Sequence, residues 1–338
     1  MKISLDGGAI CTNKDLHFGN YTFTKNLLAG IEQYDRENNY TVYSFCAKPA
    51  WLKLNNNIKF KSLKPKTLWL STRVSLEEMR EKKDIFLALN QAIPLSVSSR
   101  VISFSHGLSH YFFPRFYPDS YYALKDQLDP MIKKSRFILV ASRRVKIEMK
   151  KLYPNYQNFV TINYGVPFDM QDYHPTTRQK YFMFVGMNHK IKNIDLIVNA
   201  FRQVKKHPKF SNYKLYLIGN LKHFEEKLSG IITYTEISRE QLKKLYAEAT
   251  ACLTASYYES FNFPVLEALA QNCPVIGLSN AIIPEFKDYV FQADNEAGFL
   301  KQMFEIQKSE NLKSYRQEVL NRFSWKKYMS KLVELYSA

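Results

Sequence analysis

A chain of 338 residues, 46% hydrophobic and 23% charged, has the composition of an ordered globular protein, and its length suggests two domains. The net charge of +17 at pH 7 favours anionic partners, whether phosphorylated small molecules, acidic lipid headgroups or nucleic acid. The cysteines Cys11, Cys46, Cys252 and Cys273 are scattered without a Cys-x-x-Cys pair, which excludes a zinc knuckle or dithiol motif and suggests a reduced, cytosolic protein. No signal-peptide pattern opens the chain, and no apolar run approaches the ~18 residues of a membrane span.

Strand and helix patterns alternate in chain order, the signature of parallel sheets with crossover helices. Lys2–Leu5 reads as a strand, Tyr21–Gln33 as a helix and Thr41–Cys46 as a strand. Leu76–Asn90 reads as a helix, followed by a strand over Val101–Ser105, a helix over Tyr121–Lys133 and a strand over Phe137–Ala141. Arg143–Leu152 reads as a helix and Phe159–Ile162 as a strand. The polar stretch 169–180, with His174-Pro175-Thr176-Thr177, lacks apolar periodicity and reads as a linker between residues 1–168 and 181–323.

The alternation then restarts. Tyr181–Val185 is an apolar strand, and Ile194, Ile197, Val198 and Phe201 mark a helical face. Leu215–Ile218 ends at Gly219, and Ser238 with Gln241 suits a capping box. Ala251–Ala255, Pro264–Gln271, Pro274–Gly277 and Tyr289–Phe291 continue as strand, helix, strand and strand, and the last helix starts near Ser324-Trp325. The expected fold is α/β, with two Rossmann-like, doubly wound domains and ligands beyond the carboxyl ends of the strands.

Several chemistries have no motif. There is no Gly-x-Gly-x-x-Gly, Walker loop, nucleophile elbow or Asp-x-Asp pair, and the seven histidines lack metal-ligand spacing. No metal or other cofactor is expected. The basic residues accompany no nucleic-acid reading module.

The most informative stretch runs from Tyr258 to Ala270, with Glu259, Ser260, Phe261, Asn262, Pro264, Val265, Leu266 and Glu267. Pro264 suits a first helical turn, and a helix N-terminus there favours phosphate. Carboxylates on either side could accept from sugar hydroxyls, an arrangement suited to a nucleotide diphosphate-sugar. An amphipathic core helix with two solvated glutamates is the plainer explanation of the same spacing.

This segment resembles the Glu-x7-Glu signature of the family 4 retaining glycosyltransferases (glycosyl transferases group 1), enzymes of the GT-B fold whose two domains face each other across a cleft. Other segments resemble the family in order. Met1–Gly7 and His17-Phe18-Gly19-Asn20-Tyr21-Thr22 are similar to its first strand and glycine loop. Ser105-His106-Gly107 is similar to its strand-end histidine, Ser142 to a helix-opening serine, and Asn163-Tyr164-Gly165-Val166 to the turn before the linker. Val185-Gly186 through Lys192-Asn193 resembles the phosphate-lysine segment. Phe323-Ser324-Trp325 resembles the start of the family's last helix, so that 324–338 would pack back onto the first, acceptor-side domain.

The resemblance implies roles. Glu267 would accept from ribose hydroxyls and Glu259 from the donor sugar. Amides around Ser260, Phe261 and Asn262, and at Val265 and Leu266, would contact sugar and diphosphate. Lys192 would neutralise the diphosphate, Gly19 would let its loop approach the phosphate, and His106 would sit by the sugar's 6-hydroxyl and the reacting carbon, so that His106, Glu259 and Lys192 are the expected catalytic residues. The chain also departs from the pattern. Asn262 and Asn272 stand where the family usually has glycine, Thr235 replaces a common glycine, Met187 replaces an arginine and Gly107 an aspartate. Lys190 would partly replace the absent arginine.

The implied activity is retaining, metal-independent transfer of a hexose to a lipid-linked or core oligosaccharide acceptor. The donor would be GDP-mannose first, then a UDP-hexose, as in bacterial surface-polysaccharide mannosyltransferases. Met187 and Gly107 motivate the alternative of a nucleotide-sugar-binding or scaffolding subunit without turnover. Lys133, Lys134, Arg136, Arg143, Arg144, Lys146, Lys150 and Lys151 against Glu148 suggest peripheral docking on an anionic inner membrane face.

Overall fold

The structure is a computed structural model that describes residues 1–11, 19–53, 55–227, 229–306 and 314–338. His17 and Phe18 of the expected glycine loop lie outside the described residues. The chain divides into two units, Met1–Gly165 with Ser324–Ala338, and Val166–Phe323.

In the first unit the strands are β1 (Lys2–Asp6), β2 (Asn39–Ser44), β3 (Ile58–Ser62), β4 (Ile85–Ala88), β5 (Arg100–Ser105), β6 (Ser135–Val140) and β7 (Phe159–Thr161). Among the described residues they form a parallel sheet of order β3-β2-β1-β4-β5-β6-β7. The second unit holds β8 (Tyr181–Val185), β9 (Lys214–Ile218), β10 (Ile231–Tyr234), β11 (Ala251–Thr254), β12 (Val275–Leu278) and β13 (Phe291–Ala293). Its parallel order is β10-β9-β8-β11-β12-β13. In both sheets the strand order reverses beside the unit's first strand, β1 or β8, the arrangement that opens a ligand crevice at the carboxyl edge.

Two expected helices are different. Only Ser75–Arg80 of the first forms an α-helix, and Ile85-Phe86-Leu87-Ala88 is instead β4, beside β1. All four β4 residues are buried. A short, uniformly apolar run of this kind has no periodicity to separate strand from helix. The second expected helix, 121–133, is two helices, Tyr121–Lys125 and Leu128–Lys134. Strands β3 and β10 escape the sequence reading, β3 despite the apolar–polar alternation of Ile58-Lys59-Phe60-Lys61.

The stretch 169–180 is more than a tether. Gln271 Nε2 donates to the carbonyls of Met170 and Asp172 at 2.8 and 2.9 Å, which anchors the beginning of that stretch to the second unit. The reduced-cysteine expectation also changes, because Cys11 and Cys46 are joined as a disulfide with Cα atoms 5.6 Å apart. Their 35-residue separation hides a proximity that arises when the end of β2 comes beside the turn after β1. Cys252 and Cys273 are free and buried.

Helix Trp325–Ser337 completes the first unit. Trp325, Tyr328, Met329, Leu332 and Tyr336 are buried along one face. Phe23 packs against Trp325, Tyr328 and Tyr164 at centroid distances of 6.2, 6.1 and 4.7 Å. Gly165 is required by close approach, since a Cβ there would lie 2.5 Å from the Trp325 amide nitrogen. Among the described residues no helix is long and apolar enough to cross a membrane.

Candidate active site

In the second unit, the loops leaving β8 and β11 carry the candidate charges. The β8 loop ends in a 3-10 turn, Lys190–Lys192, capped by His189 Nδ1, which accepts from the Ile191 amide at 3.1 Å. Asn193 closes it in the left-handed region, φ 52°, before helix Ile194–Val204. The Tyr257 amide donates to the Ile191 carbonyl at 2.9 Å and ties this turn to the β11 loop. As a result, Lys192 Nζ lies 2.7 Å from Glu259 Oε1. Ser256 Oγ donates to the same oxygen at 2.7 Å. Glu259 is buried, and this pairing supplies the partners that a buried carboxylate needs. Lys190 is exposed on the same turn.

Helix Phe263–Ala270 follows the β11 loop, with Pro264 in its first turn as expected. Its cap is Asn262, at φ 73°, whose side chain accepts from the Val265 amide. Asn272, after the helix, has φ 54°. The two asparagines that replace family glycines thus occupy the backbone region where asparagine is the best tolerated substitute.

The amides of Val265 and Leu266, expected at the sugar and diphosphate, belong to the first helical turn. Both donate to Asn262, Val265 to its side chain and carbonyl and Leu266 to its carbonyl. The Asn262 cap thus closes the first turn of the helix.

Glu267 is 3% exposed, and its carboxylate is held from two sides. Arg239 Nη2 donates to Oε1 at 2.7 Å and also to Asp169 Oδ1 at 3.0 Å. Tyr246 OH donates to Oε2 at 3.3 Å. Burial by itself would lower the pKa of the Arg239 guanidinium, but the charges of Glu267 and Asp169 outweigh it and raise it. Burial, reinforced by the Glu267 charge, pushes the Tyr246 phenol well up. Sequence reading missed Arg239 and Asp169. The only local signal was the Ser238–Gln241 capping box, which fixes Arg239 as the first residue of its helix.

The remaining candidates are in the first unit. His106 follows β5. Its Nε2 is 2.6 Å from the Leu89 carbonyl and its Nδ1 is 2.9 Å from Tyr164 OH. A carbonyl only accepts, so Nε2 carries the proton and Nδ1 accepts from the phenol. Burial pushes the pKa of His106 down to about 4, against the opposing effect of the Leu89 bond. Contact with a donor sugar would require one of these bonds to be given up. Gly107 has φ 111°, a backbone that would strain the family's aspartate. Gly19 opens helix Gly19–Tyr34 and is exposed. A Cβ there would meet nothing within 4 Å, so the described residues do not themselves demand glycine. At the first unit's reversal point Asp6, at the end of β1, accepts from Asn90 Nδ2 at 3.0 Å and the Gly8 amide at 2.8 Å. Burial raises its pKa against those bonds. Among the described residues no group of three His, Cys, Asp or Glu could hold a metal ion.

Residues 179–309 match the family model described as Glycosyl transferases group 1. The chain is similar to the O-antigen chain mannosyltransferase RfbU of Salmonella typhimurium, 24% identical over 221 residues that cover 62% of this chain. The match spans 59% of that relative's own length. Among solved structures, sucrose-phosphate synthase from Thermosynechococcus elongatus superposes with a TM-score of 0.78 at 14% identity, covering 99% of this chain and 98% of that one. HepE from Anabaena, in complex with UDP-glucose, gives a TM-score of 0.73 at 12% identity, covering 100% and 99%. The chain therefore has the two-domain GT-B fold, its residues 179–309 are similar to the Glycosyl transferases group 1 family, and it resembles O-antigen mannosyltransferases.

Proposed function

We propose that the protein is a retaining, metal-independent hexosyltransferase that moves mannose from GDP-mannose, or failing that a hexose from a UDP-sugar, to a lipid-linked or core oligosaccharide. The observation that carries this reading is the Lys192–Glu259 pair before helix Phe263–Ala270 together with Glu267 on that helix, all within the matched residues 179–309. The mannosyltransferase relative supports the sugar, and the UDP-glucose complex of the HepE neighbour keeps the base open.

Breaking the sugar–phosphate bond builds negative charge on the diphosphate. A preorganised ammonium beside it lowers that barrier more than it strengthens ground-state binding. Lys192 supplies that charge, and Glu259 accepts from the sugar hydroxyls. The acceptor is activated as its proton passes to the departing phosphate oxygen, so Glu259 is not the nucleophile. The basic residues between Met131 and Lys151 support peripheral binding to the anionic inner face of a bacterial membrane.

The test is transfer from a panel of GDP- and UDP-sugars to oligosaccharide acceptors, with the product anomer read by NMR. Turnover with an inverted anomer would remove the retaining assignment. Nucleotide binding without turnover on any donor would favour the alternative of a non-catalytic binding subunit, which Met187 and Gly107 motivate. Sedimentation with anionic vesicles should show binding that fades with salt, and equal binding to neutral vesicles would overturn the membrane assignment.

A further inference from the structure

Three side chains from distant parts of the second unit, Asp169, Arg239 and Glu267, meet at a single guanidinium. Arg239 reaches Glu267 Oε1 at 2.7 Å and Asp169 Oδ1 at 3.0 Å. Arg239 is placed by the Ser238–Gln241 capping box at the first position of helix Arg239–Glu248, and Glu267 lies on helix Phe263–Ala270. Asp169 begins the stretch leading away from the first unit, which Gln271 also holds. An arginine satisfies two carboxylates at once because its donors are fixed in a planar fork.

The charge of this cluster indicates what it can receive. Two carboxylates against one guanidinium leave a net negative site, which repels phosphate and attracts hydroxyl donors. An ionised carboxylate accepts about four hydrogen bonds. Arg239 and Tyr246 supply two to Glu267, which leaves capacity for a pair of neighbouring hydroxyls. Without Arg239, Glu267 would be a buried carboxylate with a single phenol donor and no cation to hold its orientation.

We propose that Arg239 is a positioning residue for ribose recognition: it fixes the carboxylate of Glu267, braced by Asp169, as an acceptor for the cis-diol of a nucleoside diphosphate. The inference rests on the reading of this unit as a nucleotide-sugar site and adds a residue and a selectivity to it.

Calorimetry with GDP and UDP, each against its 2′,3′-dideoxy form, tests it on the full chain, with thermal unfolding as a check of the fold. The wild-type protein is expected to bind one ribonucleotide at least about tenfold more tightly than its dideoxy form, the loss of a hydrogen bond to a charged group. Arg239→Met should lose about tenfold toward the ribonucleotide and less than about twofold toward the dideoxy form, so that discrimination collapses. Asp169→Asn should shift discrimination the same way by less. Equal losses toward both forms, or unchanged discrimination, would overturn the proposal. If Arg239→Met does not fold, full wild-type discrimination in Asp169→Asn overturns it. A wild-type protein that binds no nucleoside diphosphate would sink the functional reading itself, and the inference with it.

Discussion

Lys192 Nζ and Glu259 Oε1 lie 2.7 Å apart, so the cation assigned to the diphosphate and the carboxylate assigned to the sugar are paired with each other. The pair is largely shielded, with side-chain exposures of 19% and 10%. Removing one partner leaves a shielded charge without its counter-ion; a fully buried pair loses about 3–5 kcal/mol this way, and this partly exposed one should lose less. Lys192→Ala should lower kcat by roughly 10²–10³-fold, with a smaller fall in nucleotide-sugar affinity. Glu259→Ala should abolish turnover and leave free nucleotide binding nearly intact. The double variant should be more stable than the sum of the two single losses predicts. Steady-state kinetics, calorimetry and denaturant melts read these outcomes, and an unchanged kcat in Lys192→Ala would remove the electrostatic role.

Glu267 and Lys190 separate binding from catalysis. Glu267→Ala should weaken nucleoside diphosphate and nucleotide-sugar alike, by about 1.5–3 kcal/mol for the lost charged hydrogen bonds. Lys190 is exposed, so Lys190→Ala should reduce kcat less than Lys192→Ala and leave stability unchanged. Calorimetry and initial rates on the two variants check this, and a Glu267 variant that binds free nucleotide normally would contradict the ribose assignment.

The backbone at Asn262 is testable by stability alone. Its φ of 73° and its cap on the Val265 amide make alanine doubly unfavourable. Left-handed strain costs about 1–2 kcal/mol and the lost cap about 1 kcal/mol. Asn262→Gly relieves the first penalty and should be clearly more stable than Asn262→Ala. Thermal unfolding of the pair decides it, and equal melting temperatures would show that the left-handed geometry is not what matters.

His106 sets an acid limit on the first unit. With its pKa down at about 4, the native state binds fewer protons than the unfolded state between about pH 6.5, the unfolded value, and pH 4. Stability therefore rises with pH across that window and is lost as pH falls through it. His106→Gln should flatten this part of the stability profile relative to wild type. Denaturant midpoints at pH 4, 5, 6 and 7 measure the slope, and parallel profiles would exclude His106 as a contributor.

The sequence makes the two alternating halves legible because parallel strands such as Phe182-Met183-Phe184 are buried on both faces and read as continuous apolar runs. The same property conceals β4, whose four buried residues look equally helical. Glu259 and Glu267 are legible because their loop–helix segment is local, eight residues apart. Arg239 is not, because its partners lie 28 and 70 residues away and only the packed second unit brings them together. Asn262 and Asn272 read as departures from a glycine pattern. Their positive φ values show that they preserve the backbone while changing the residue.

The first unit is assembled from two separated stretches, Met1–Gly165 and Ser324–Ala338, and this orders its biogenesis. Domains that are continuous in sequence fold as they leave the ribosome, N-terminal first. Here Phe23 and Gly165 lack their Trp325 contacts until the second unit has been synthesised. Helix Gly19–Tyr34 also waits for Met329, which packs on Gly30. The contiguous Val166–Phe323 unit is therefore positioned to fold first, leaving the Phe23–Gly30 side of the earlier-made helix Gly19–Tyr34 uncovered. A nascent chain stalled before Trp325 should expose that side to chaperones and proteases, and release of residues 325–337 should close it.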